Sequence, residues 1–456
     1  MPLDHKELRV TQAIRYVCVL VGAVLAGQAC RAAEPVDGAL ARYVAKEDDS
    51  YGWVVKQRGE LEKTSYVEMI LTSQTWRDIV WKHQLFVIRP STAPDDTTHA
   101  LLFITGGNWK DELETDQERR MPRDAALFAA IAEQIQTPIA VLLQVPRQPI
   151  FDGKVEDQII AMTFDEYLKS GDAEWPLLLP MVKSAVRAMD AVQEASEKEW
   201  GLKLKTFTVT GASKRGWTTW LTGAVDRRST AICPMVIDVL NMGPQMKHQR
   251  EAFGDYSHKI DDYTTLGIQD RMDTEAGAQL RRLVDPFAYR DQLTQPKLIM
   301  LGTNDEYWPL DALNLYWSEL KGPKYVLYIP NNGHGLKDYG RIVGSLCALH
   351  RQACGELVLP KLDWKFENDG DKLTLRVTSD VRPTQVDAWF AASDSRDFRK
   401  SQWSSRPATA DGDAYLCELE IPASGYAALY GEVVFADGTL PYFLSTNVEI
   451  VQGGGK

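Results

Sequence analysis

Between residues 101 and 329 the chain carries six apolar, largely β-branched runs, each closed by turn residues: Leu101–Thr105, Pro138–Val145, Thr206–Thr210, Ile232–Leu240, Lys297–Thr303 and Lys324–Ile329. Amphipathic stretches fall between them, predicting helices over Asp124–Gln136, Trp175–Ser196, Ser213–Asp226 and Pro309–Leu320. Near-continuous apolar strands alternating with helices predict an α/β fold, a mostly parallel sheet covered by helices on both faces. Two earlier runs, VEMILTS and WKHQLFVIRPS, predict an antiparallel edge hairpin. The connection from Pro146 to Trp175 is longer than a plain loop needs, and it predicts a cap over 146–182.

After Pro360 the period changes. The runs KLTLRVTS, QVDAWFAAS, YLCELEIP, AALYGEVVF and PYFLSTNVEIV alternate polar and apolar positions between turns rich in Gly, Asp and Ser. Residues 361–452 therefore predict a C-terminal all-β sandwich of immunoglobulin or fibronectin type, following a catalytic domain over 34–360. At the other end, Lys6, Arg9 and Arg15 precede the apolar run Tyr16–Gly27 and the small residues Ala29, Ala32 and Ala33. That is the layout of a signal peptide over 1–33, and it predicts export to the periplasm or beyond. Twelve apolar residues are short of the ~20 a membrane span needs, so no stable span is expected after cleavage. Cys30 raises lipoprotein processing, although Gly27-Gln28-Ala29 makes a poor lipobox. Once the leader is gone, Cys233, Cys347, Cys354 and Cys417 remain, and their spacing fits no metal site. A net charge of -12 argues against a nucleic-acid partner.

The chemistry concentrates in TFTVTGASKRGWTTWLTGAVD. A strand ends at Thr210, Gly211-Ala212-Ser213 turns, and a helix begins at once. A serine on such an elbow is lifted above the sheet edge, where substrate can meet its hydroxyl. The pattern is G-x-S-x-x-G, so Arg215 stands where the commoner elbow has its second glycine. Partners are expected in the order Ser, acid, His. Of seven histidines, only His334 sits on a Gly-flanked loop, NNGHGL, directly after the last strand of the sheet. Asp305 emerges at the end of the preceding strand, and Asp238, one strand earlier, competes for the role of acid. Gly106-Gly107-Asn108-Trp109 follows the Leu101–Thr105 strand, so the N–H of Gly107 or Asn108 could join that of Lys214 in an oxyanion hole. Trp109, Trp308 and Arg215 are the candidate substrate contacts. No cofactor and no metal is called for.

The segments VPRQPI, EWPLLLPMVKSAVRAMDAVQ, GASKRGW and GTNDEYWP resemble the PhoPQ-activated pathogenicity-related protein family, bacterial exported proteins of the α/β-hydrolase superfamily. The resemblance runs from about Tyr43 to the end of the chain. It implies the hydrolase core and the roles of Ser213, Asp305 and His334, and it brings no substrate. The elbow by itself also resembles that of glucuronoyl esterases, whereas the rest of the chain does not.

These features predict an exported serine hydrolase acting on a small ester, with an aromatic or sugar-containing substrate suited to the tryptophans. A serine peptidase on the same fold shares the acyl-enzyme chemistry and remains open, as does a non-catalytic binding or adhesion protein.

Overall fold

The computed structural model describes residues 38–115, 124–436 and 440–454. The leader over 1–33 lies outside them. A short helix, α1 (Ala39–Ala45), leads into the strands β1 (Gly52–Leu61), β2 (Thr64–Trp76) and β3 (Ile79–Pro90), which form an antiparallel meander. The chain then alternates β4 (His99–Ile104), α2 (Ala125–Ile135), β5 (Ile139–Leu142), α3 (Asp157–Ser170), α4 (Leu178–Trp200), β6 (Thr206–Ala212), α5 (Lys214–Val225) and β7 (Ser229–Met235). Two longer helices, α6 (Met242–Phe253) and α7 (Glu275–Val284), precede β8 (Lys297–Gly302), β9 (Lys324–Ile329) and α8 (Tyr339–Ala353).

The sheet order is β1-β2-β3-β5-β4-β6-β7-β8-β9. Pairing is parallel from β5 through β9 and antiparallel on the β1–β3 side. Central strands such as β5 and β8 are buried along their whole length, as expected where helices cover both faces. Helix α4 shows how the sequence specifies this cover. Leu178, Met181, Val182, Ala185, Met189 and Val192 recur every three or four residues and are buried. The helix stops at Gly201, whose φ of 71° is left-handed and whose N–H caps the Glu197 carbonyl.

The C-terminal strands are β10 (Leu362–Asn368), β11 (Lys372–Ser379), β12 (Gln385–Ser393), β13 (Ser404–Pro407), β14 (Thr409–Asp411), β15 (Ala414–Glu420), β16 (Tyr426–Ala436), β17 (Pro441–Ser445) and β18 (Glu449–Gln452). One antiparallel sheet has the order β10-β11-β15-β14 and shares no strand pairing with the other. The other, built from β17, β16, β12 and β13 with β18 beside β16, continues the large sheet. Ser445 on β17 pairs with Val326 on β9.

Several elements differ from the sequence reading, and helices α6 and α7 and strand β10 were absent from it. The strand starting near Ile232 ends at Met235, because Val236 turns through φ 45° and carries Ile237–Leu240 out of the sheet. The helix expected over Pro309–Leu320 is two 3-10 turns, Ala312–Leu315 and Trp317–Glu319, broken where Tyr316 is wholly buried. The strand β1 was not anticipated. None of the four cysteines among the described residues is in a disulfide.

Candidate active site

The elbow between β6 and α5 holds Ser213 at φ 58°, ψ -128°, a conformation that costs an L-residue about 1–3 kcal/mol and clusters at functional sites. Its N–H is fixed to the Met235 carbonyl at 2.8 Å. Close packing explains the two glycines. A Cβ on Gly211 would meet the Arg215 carbonyl at 2.8 Å, and one on Gly216 would meet the Met235 carbonyl at 2.8 Å and Ile237 at 2.7 Å. As the first residue of α5, Lys214 directs an N–H that has no partner within the helix toward the elbow end.

His334 follows β9 on a loop tied to the end of β8. The Asn304 N–H donates to the Asn332 carbonyl at 2.9 Å, and the Asn331 N–H to Thr303 Oγ1 at 2.9 Å. Gly302 is needed because a Cβ there would run into the Asn332 and Gly333 carbonyls. The result is a continuous line of contacts. His334 Nε2 lies 2.8 Å from Ser213 Oγ, and His334 Nδ1 lies 2.9 Å and 3.1 Å from the two carboxylate oxygens of Asp305. Asp305 is buried and also accepts the Tyr307 N–H at 2.8 Å. The Tyr307 ring covers the imidazole, with centroids 4.1 Å apart. Burial, with the Asp157 and Asp305 charges, pushes the Tyr307 phenol up to about 12, so it stays a neutral hydrogen-bond donor. Glu306 accepts the His334 backbone N–H at 3.0 Å. Burial alone would raise its carboxyl, but that hydrogen bond and nearby cations hold it below the usual range.

Asp238 does not reach the histidine in this arrangement. It is buried, one of its oxygens has no hydrogen-bond partner among the described residues, and burial raises its carboxyl to about 7, with the charges of Asp305 and Asp311 adding to the effect.

The remaining sequence candidates divide. Trp308 lines the cavity at Ser213, as does Lys214. Trp109 and Arg215 are not among the lining residues. Trp109 is buried with its indole N–H on Asp111 at 3.0 Å. Arg215 is held by Glu156 through two bonds of 2.8 Å and 2.7 Å and donates to the Val145 carbonyl, which leaves it a structural ion pair. Glu156 thus matches the charge of Arg215. Gly107 and Asn108 follow β4 beside the elbow, since Ile104 pairs with Gly211. Among the described residues neither of their N–H groups has a hydrogen-bond partner, whereas the Trp109 N–H is taken by the Gln148 carbonyl at 2.7 Å.

Sequence reasoning missed most of the cavity. The segment 146–182 supplies Asp157 and Phe164, but Met242, Met246, Ile260, Tyr263, Ile268 and Met272 come from α6 and the short turns after it. Those turns clamp the acid loop. Gln249 donates to the Tyr307 carbonyl at 2.6 Å, and the Ser257 hydroxyl donates to the Glu306 carbonyl at 2.5 Å. A second brace was equally illegible. Asn331 grips the Trp403 backbone through bonds of 3.0 Å and 2.8 Å, and Asn304 donates to the Ser401 carbonyl at 2.7 Å. The C-terminal segment thus supports both loops that carry Asp305 and His334.

Among the described residues, His99, His350 and Cys354 come within metal-ligand range of one another, their candidate atoms lying within 4.8 Å. They sit at the other end of the parallel strands from Ser213. Both rings are already satisfied: His99 by Thr206 and Thr208, His350 by Thr137 and Thr208. The group reads as a buried hydrogen-bond network.

A mixed sheet with a parallel centre, a serine elbow after β6 and helices on both faces is the α/β-hydrolase fold. Residues 40–399 match the model of the PhoPQ-activated pathogenicity-related protein family, and the chain belongs to that family. It is 33% identical over 382 residues to autocrine proliferation repressor protein A of Dictyostelium discoideum, covering 78% of this chain and 75% of that protein. Solved structures with a similar outline include an acetyl xylan esterase from a Paenibacillus species, at 13% identity and a TM-score of 0.47 over 67% of this chain and 89% of that one. A glucuronoyl esterase from Solibacter usitatus follows at 13% identity and a TM-score of 0.40, with the same coverage. Likeness of that degree says nothing of what this chain acts on. No helix among the described residues is long and apolar enough to cross a membrane.

Proposed function

We propose that the protein is a serine hydrolase that cleaves carboxylic esters through an acyl-enzyme on Ser213. The observation that carries this reading is the single line Ser213 Oγ, His334 Nε2, His334 Nδ1, Asp305, with every link within 3.1 Å. His334 takes the Ser213 proton as Oγ bonds to the ester carbonyl carbon. The same proton then passes to the leaving alkoxide as the carbon–oxygen bond breaks. Water next gives a proton to His334 and attacks the acyl carbon, and Ser213 recovers its proton as the acid departs. Asp305 keeps Nδ1 protonated and stabilises the imidazolium that forms twice. The oxyanion is assigned to the Lys214 N–H and to that of Gly107 or Asn108, groups with no competing partner, and loss of one such donor costs about 10²–10³ in kcat. Trp308 walls the substrate. On the leader over 1–33, the protein works outside the cytoplasm.

The test is rapid-mixing hydrolysis of p-nitrophenyl esters beside a panel of dipeptide p-nitroanilides. A burst of one nitrophenol per protein, absent in Ser213→Ala, is expected with the esters. Turnover of the anilides alone would replace the esterase by a peptidase, and turnover of neither would remove the enzyme.

A further inference from the structure

The cavity that opens at Ser213 is walled mainly by carbon. Phe164, Trp217, Met242, Met246, Ile268 and Met272 reach it from α3, α5, α6 and the turns that follow. The charged groups at its edge neutralise one another. Lys214 Nζ lies 2.8 Å from Glu156 and 3.2 Å from Asp157, and Asp157 accepts the Tyr263 hydroxyl at 3.0 Å. Burial, with the Asp157 charge beside it, holds the Tyr263 phenol far above its ordinary value, so it adds no charge. A lining of this kind rewards an uncharged, apolar guest.

Its size sets a limit. The open interior is about 60 Å³, room for about four to six atoms the size of a water molecule at ~10–15 Å³ each. A chain of about that many atoms fills it, and an acetyl group leaves part of it empty. Three methionines form part of the wall, and their unbranched thioethers make a limit that side-chain truncation can move.

We propose that this cavity is the acyl pocket and that it selects an unbranched, uncharged acyl chain of about four to six carbons. The inference rests on Ser213 as nucleophile. The acyl group is the part that stays bonded to the enzyme through both half-reactions, whereas the alcohol must return to solvent before water takes its place. A cavity roofed by α3, α6 and the turns after α6 suits the part that stays.

The experiment is a chain-length series of p-nitrophenyl acetate, butanoate, hexanoate, octanoate and dodecanoate, with the wild type, Met246→Ala and Met272→Ala. Each methylene that enters the pocket multiplies kcat/KM by about four, so the maximum is expected at butanoate or hexanoate. It moves to octanoate or longer in the methionine variants. A second readout needs no turnover. Calorimetry of the Ser213→Ala protein should find hexanamide bound at least about tenfold more tightly than acetamide. A maximum at acetate, unmoved by both variants and joined by equal amide binding, would overturn the pocket while leaving the serine chemistry standing. Selective amide binding without wild-type turnover would do the reverse. Length selectivity that appears when the alcohol of an acetate ester is varied, and not when the acyl group is, would overturn the acyl assignment.

Discussion

Two carboxyls lie near the end of the parallel strands, and replacing Asp238 with Asn separates them. In the folded protein burial, with the charges of Asp305 and Asp311 behind it, raises the Asp238 carboxyl to about 7. In an unfolded chain an aspartate titrates at ~3.9. Because the folded value is the higher one, the stability linked to this group is full below about pH 4 and is lost as pH rises through about 7. Over that window the unfolded chain binds fewer protons, so stability falls with pH. A shift of about three units corresponds to at most ~4 kcal/mol by pH 8, and relaxation around the buried charge brings the expectation to about 1–4 kcal/mol. Asn cannot ionise, and about a third of the loss lies below pH 5, so Asp238→Asn should gain about 1–3 kcal/mol on the wild type between pH 5 and pH 8. At roughly 2 °C per kcal/mol for a long chain, the difference in Tm should widen by about 2–6 °C. Thermal melts of both proteins at the two pH values measure it. Turnover of the variant should stay within about threefold of wild type, whereas Asp305→Asn, which releases the imidazole from its proper tautomer, should lose ~10⁴ in kcat. A Tm difference independent of pH would refute the buried-charge argument, and a collapse of turnover in Asp238→Asn with Asp305→Asn active would refute the choice of acid.

Glu156 joins Arg215 and Lys214 beside the elbow, and Glu156→Gln should cost about 1–3 kcal/mol, less than a fully buried pair because the carboxylate is partly exposed. Burial works to raise the Glu156 carboxyl, but the two cations hold it at about 2, so its contribution is present above about pH 4.5 and lost as pH falls toward 2. The Tm gap between variant and wild type should therefore narrow between pH 6 and pH 3, and a constant gap would contradict the pairing. Asn331→Ala removes both bonds to Trp403 and should lower kcat by up to about 30-fold with KM nearly unchanged, at about 1 kcal/mol for each bond. A steady-state comparison showing a raised KM with kcat intact would contradict a positioning role.

The parallel strands and the elbow were readable because their constraints are local. A buried strand must be apolar along its length, and a tight elbow must have small residues at Gly211 and Gly216. The roof of the cavity was not readable for the opposite reason. Helix α6 carries Lys247, Arg250 and Glu251 on its outer side, and the turns after it are too short for an apolar period to recur. Strand β1 carries Lys56, Gln57, Arg58 and Glu60, all at least partly exposed as on an edge strand, so it lacks the continuous run that marked its neighbours. Arg215 has its partner 59 residues upstream, and Asn331 has Trp403 72 residues downstream. Contacts at that separation leave no trace in local pattern.

Every part of the mechanism depends on an activated hydroxyl at Ser213, and labelling with a fluorophosphonate probes that hydroxyl alone. The pure protein should take up one phosphonyl group, shown by intact mass and mapped by peptide sequencing to the segment containing Ser213. Ser213→Ala should take up none, and His334→Ala should react at least about 10²-fold more slowly. Labelling that persists in Ser213→Ala, or a wild-type protein that remains unlabelled, would contradict the account.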